Sequence, residues 1–141
     1  MAYFKYSWLL LLLLVASAQA ASDFALVKVQ LAEQQFVVQL ADTPALRARG
    51  LMFQSSAEPG MLLLYSEPTE LALWMKNTNL ELDVAFINAN WQISRIVPLA
   101  PLDETAVYSG GPVIAALEMP RGWFAQQQLG VGAKLQLLSG D

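Results

Sequence analysis

Beyond residue 20, apolar residues come in short bursts divided by turn residues, a spacing that predicts strands rather than long helices. Residues 25–31 alternate, with Val27, Val29 and Leu31 on one face and Lys28 and Gln30 on the other. Phe36, Val38 and Leu40 repeat the alternation after a short polar turn, so the two segments predict a hairpin. Residues 61–65 and 71–76 predict a second strand pair around Ser66-Glu67-Pro68-Thr69. Residues 82–87 and 92–97 flank Asn88-Ala89-Asn90, a turn suited to asparagine's tolerance of left-handed backbone. Residues 114–119 and 134–138 bring the expectation to about eight strands.

Helical signals are brief. Thr43-Pro44 opens one helix, with a hydroxyl to accept from an early N–H and a proline suited to the first helical position. Gly50 ends it, and Arg47 and Arg49 lie in its last turn, where cations are favoured. Residues 123–129 predict a second helix of one or two turns. Residues 98–112, rich in proline, glycine and acid, read as a long loop. The expected fold is mainly β with two short helices, a single-domain and largely antiparallel β-barrel or sandwich.

The first twenty residues stand apart. Lys5, an apolar core from Trp8 to Val15 and Ala18-Gln19-Ala20 match a secretory signal cleaved after Ala20. The apolar run is short of the roughly 20 residues needed to span a bilayer. The expectation is a periplasmic or secreted domain over residues 21–141, with no stable membrane anchor after cleavage. Without Lys5 there remain seven basic and twelve acidic residues, a net charge of −5. Nucleic-acid binding needs clustered positive charge, so that partner class is excluded. There is no cysteine and no histidine. Disulfides, thiol chemistry and the usual general base are therefore missing, and no cofactor is expected.

Candidate chemistry centres on Trp74-Met75-Lys76-Asn77-Thr78 and the Asp83 that follows. In a strand, Trp74 and Lys76 share a face, and the ammonium can lie over the indole ring. Glu118 sits within an apolar strand, and a buried carboxylate demands a partner. Asp83 and Glu118 are thus the expected partners of Lys76. Two uses follow: a binding pocket, or an internal ion-pair network that fixes strand register. Asp83 and Glu118 on one cleft, at about 5–10 Å, would instead suit glycoside hydrolysis. No supporting catalytic motif accompanies them, so catalysis is not the favoured use. Met52, Met61, Met75 and Met119 are soft thioethers, but they lack close spacing and read as core filler rather than metal ligands.

Several blocks together carry a family resemblance. Thr43-Pro44, Arg47-Ala48-Arg49-Gly50-Leu51-Met52-Phe53, Gly60-Met61-Leu62, Trp74-Met75-Lys76-Asn77-Thr78 and Leu82-Asp83-Val84-Ala85-Phe86-Ile87 resemble the domain of unknown function 192 family. Tyr108-Ser109-Gly110-Gly111-Pro112 and Ala116-Leu117-Glu118 with Gly122 fit the same pattern. The resemblance implies one compact β-rich domain and no settled activity. Many relatives carry a cysteine pair before the tyrosine segment, where this chain has Leu102-Asp103-Glu104-Thr105-Ala106-Val107. The expected function is a module binding a small molecule or an envelope protein. Its candidate site residues are Trp74, Lys76, Asn77, Thr78, Asp83 and Glu118, with Met52. A structural accessory of the envelope is a further reading.

Overall fold

The computed structural model describes residues 24–140, so the predicted signal lies outside the described residues. In chain order the elements are β1 (Ala25–Leu31), β2 (Gln34–Ala41), α1 (Pro44–Arg49), β3 (Met61–Leu73), β4 (Leu82–Ile87), β5 (Ile93–Leu99), β6 (Val107–Pro120), α2 (Trp123–Gln126) and β7 (Leu135–Leu138). They build a mainly β domain with two short helices, as the patterning predicts. The seven strands form one sheet in the order β5-β4-β6-β3-β2-β1-β7. All neighbours are antiparallel except β2 and β3, whose parallel pairing matches Gln39 with Met61 and Ala41 with Leu63. A parallel pair needs a crossover rather than a tight turn. The α1 helix and the loop after it supply that crossover.

The sheet curls until its outer segments meet. Ile93 N–H donates to Ala133 O at 2.9 Å, Gly132 N–H to Ile93 O at 2.8 Å and Leu135 N–H to Trp91 O at 2.8 Å. The result is a half-barrel joined at one end. Every strand contributes to its concave core, including Val29, Val38, Leu62, Ile87, Ile93, Leu117 and Leu135, and Phe124 of α2 fills the mouth. The opposite face of β3, β4 and β6 is also covered. There Leu63, Val84, Phe86 and Ala116 pack beneath Leu51, Ala57 and Met75. Burial on both faces explains why β4 reads as an almost continuous apolar run.

The first helix follows its local signals. Thr43 Oγ1 accepts from Leu46 N–H at 3.2 Å, and Gly50 ends the helix with φ +49°. The longer elements depart from expectation. Residues 61–65 and 71–76 are not a hairpin, because β3 runs through both segments as far as Leu73 and both pair with β6. The turn-like Ser66-Glu67-Pro68-Thr69 is absorbed as a bulge, where the register jumps between Leu64 and Thr69. A bulge tolerates the missing proline N–H. The predicted loop over 98–112 shrinks to residues 100–106 because β6 begins at Val107. Gly110 and Gly111, with φ +75° and +144°, bend β6 at a second register shift, between the Glu70–Pro112 and Ala72–Tyr108 pairs, instead of forming a loop. The sheet therefore has seven strands, and α2 stops at Gln126 rather than Leu129.

Candidate functional site

Strand register decides which side chains can meet. Glu118 lies opposite Met61 on β3 and Val84 on β4, in the middle of the sheet. Met61 and Val84 belong to the core beneath Leu51 and Met75, so Glu118 shares that face. Asp83 is paired with Met119, one position along, and so points to the opposite face. The two carboxylates do not share a cleft, and the glycoside-hydrolysis arrangement is ruled out by one residue of register.

Asp83 has a local task. Its Oδ2 accepts from Gly122 N–H at 2.8 Å, and its Oδ1 lies 3.2 Å from Arg121 Nε. Arg121 also donates to Leu82 O at 2.9 Å and Leu99 O at 2.8 Å. This cluster ties the turn after β6 to β4 and β5.

Lys76 meets neither acid. The chain leaves β3 at Leu73, and Met75 N–H donates to Asp103 O at 2.8 Å. Lys76 is exposed, with Nζ 5.1 Å from the Trp74 ring centroid. The cation–π contact expected from the sequence is present, whereas the ion-pair network is not. Replacement of Lys76 by Met should therefore lower stability by less than about 1 kcal/mol, the scale of an exposed cation–π contact. A thermal melt of K76M that fell by ten degrees or more would contradict this placement. Asn77 is exposed too, with φ +54°, and its carbonyl accepts from Phe53 N–H at 2.8 Å. Thr78 is buried and its hydroxyl donates to Lys76 O at 3.0 Å.

A cavity of about 350 Å³ opens between α1, β3 and the 74–78 turn. Its lining includes four expected residues, Met52, Trp74, Thr78 and Glu118. Lys76, Asn77 and Asp83 are not in it. Arg47, Arg49 and Tyr65 join it instead. The arginines carry a signal only for helix termination, and Tyr65 reads only as a strand residue. The alternation of Met61, Leu63 and Tyr65 is the one clue that Tyr65 shares the face of Glu118.

The walls of the cavity are ordered by ring contacts. Arg47 lies 4.3 Å from the Tyr65 ring centroid and donates from Nη1 to Leu64 O at 2.9 Å. Arg49 lies 4.4 Å from the Phe24 ring centroid. Trp74 is about half exposed at 49%. Glu118 is only 7% exposed, and among the described residues no hydrogen bond or ion pair holds its carboxylate. Loss of hydration pushes its pKa up from 4.5 to about 7. Burial also raises Tyr65, opposed by the neighbouring Arg47 charge and reinforced by Glu118.

The remaining aromatic residues do not gather into one exposed patch. Trp123 packs on Phe36 and Phe124 at centroid distances of 4.9 and 5.1 Å, while Tyr108 is exposed elsewhere. Met61 and Met75 are buried on the cavity side of the sheet and Met119 in the concave core. Among the described residues, no three of His, Cys, Asp and Glu stand together as a metal site. No helix of the described residues is long and apolar enough to cross a membrane.

Comparison with known proteins places these features. The DUF192 family model, described as an uncharacterized ACR, matches residues 26–137. A "putative transcription regulator" from Sinorhizobium meliloti has 31% identity and a TM-score of 0.77, over 82% of this chain and 96% of that one. A protein of unknown function from Novosphingobium aromaticivorans has 31% identity and a TM-score of 0.76, over 83% of this chain and 89% of that one. No curated protein matches the chain.

Proposed function

The chain belongs to the uncharacterised DUF192 family, and we propose that it is an exported small-molecule-binding module whose site is the cavity beside α1. The observation that carries this reading is Glu118, a buried carboxylate without a protein partner on the wall of that cavity. Such a group costs stability unless something binds it, and perturbed carboxyls in clefts mark functional sites. Trp74 and Tyr65 offer ring surface at the same place, within a lining that is more polar than apolar and so suits a polar or charged ligand. Transcription regulation through direct DNA contact is disfavoured by the acidic balance of this chain.

Ala48 is exposed on α1 and lines the cavity, so Ala48→Trp fills it without touching the core. Native mass spectrometry after incubation with an envelope metabolite extract should show a small bound mass on the wild type and none on A48W. A wild type that retains nothing would remove the basis for the binding reading. Export rests on the signal-like residues 1–20. Terminal sequencing of the protein from its host should find Ala21 first; an intact Met1 terminus in the cytosol would refute export.

A further inference from the structure

We propose that the cavity takes a small amphoteric molecule of the α-amino-acid class, its ammonium seated on Glu118 and its carboxylate at Arg47. This rests on the reading of the cavity as a ligand site. The first support is charge placement. Glu118 lies on β6 at the sheet face, and Arg47 and Arg49 lie on α1, so one cavity holds both signs. Opposite charges that share a cavity usually pair. Here no ion pair joins either arginine to Glu118. Arg47 is held on the Tyr65 ring and on Leu64 O instead.

No protein group neutralises Glu118, so its carboxylate is open to a cation from outside, and Arg47 keeps donors beyond the Nη1 that serves Leu64. A molecule with only one charge would satisfy one end and be repelled at the other. A zwitterion matches both. Size and lining agree. About 350 Å³ is near the lower end of ligand pockets, which run from about 300 to 1,000 Å³. Leu51, Met52 and Trp74 give an apolar wall for a side chain.

The direction of pH dependence separates this arrangement from its main competitor. The titratable and charged groups facing Glu118 are Arg47 and Arg49 from α1 and Tyr65 from β3. Both arginines stay charged, so near neutrality the acid decides. An ammonium needs the carboxylate form, so affinity should rise between pH 6 and 8. If Glu118 instead bound an anion as a protonated donor, affinity would fall over the same range.

The test uses calorimetric titration of the purified protein with L-leucine, N-acetyl-L-leucine and L-leucinamide. L-leucine should bind more tightly at pH 8 than at pH 6. N-acetylation, which removes the cation, and Glu118→Gln should each weaken binding at least tenfold. Leucinamide, which lacks the anion, should also bind at least tenfold more weakly, which tests the Arg47 contact without any substitution. Equal affinity for leucine and its N-acetyl derivative, or leucine binding unchanged in E118Q, would overturn the proposal. So would no binding by any of the three. If the extract still leaves a mass that A48W cannot hold, only the ligand class fails. If it leaves none, the binding reading fails as well.

Discussion

Replacement of Glu118 by Gln should make the protein more stable at pH 8, by roughly 3 kcal/mol, and leave its stability at pH 4 nearly unchanged. The carboxyl titrates at about 7 in the folded protein against 4.5 ordinarily, because burial strips its water. Between those values the native state keeps a proton that the unfolded chain has released. The native state then binds more protons, so stability falls as pH rises from about 4.5 to about 7. Above that range both states are ionised and the penalty is constant. Glutamine has the shape of the protonated acid and cannot ionise, so the variant escapes this loss. Urea titrations at pH 4, 6 and 8 read the difference directly. Parallel stability curves for the two proteins would show that Glu118 is hydrated or paired. A stabilising substitution at a polar position is itself a mark of a residue kept for function rather than for folding.

The second large effect is expected at Gly60. This residue precedes β3 with φ +103°, a region that side chains avoid. A Cβ there would lie 2.4 Å from Met119 Sδ and 3.0 Å from Glu118 O. The thioether can swing aside, but the carbonyl belongs to the sheet and cannot. The local backbone is also at stake, since Gly60 O accepts from Gln39 N–H at 3.0 Å and anchors the start of the parallel pairing. Backbone strain and overpacking each cost about 1–3 kcal/mol, so Gly60→Ala should lose roughly 2–6 kcal/mol. Chemical denaturation checks the figure. A loss under about 1 kcal/mol would mean that the close approach of the two segments relaxes freely.

What the sequence disclosed and what it hid divide along the range of the interaction. The β1–β2 hairpin, the Thr43 cap and the Gly50 stop are written within a few residues, and each is present. The continuity of β3 was not legible, because Pro68 and its polar neighbours signal a turn whether the chain reverses or only bulges. Gly110-Gly111-Pro112 misled in the same way, their loop chemistry serving a bend within β6. Glu118 could be found because an acid inside an apolar strand is conspicuous. Its pairing with Lys76 could not be judged, since that depended on β3 lasting to residue 76, and it ends at Leu73. Arg47 and Tyr65 became site residues only through the crossover that folds α1 onto the sheet, a contact no local pattern records.

The order of the strands carries a temporal consequence. β1 near the start of the chain pairs with β7 near its end, and residues 132–135 are also what join the β5 side of the sheet. The other bond between the two halves is the parallel seam of β2 and β3, only three residue pairs long. A chain emerging residue by residue can form the β1–β2 hairpin and the β3-β6-β4-β5 part of the sheet early. It cannot join the free edges of β1 and β5 until the segment from Gly132 to Leu138 has arrived. Until then both halves present unpaired strand edges to their surroundings. The last strand is thus a latch: four residues long, late in time, and holding both rims of the half-barrel at once.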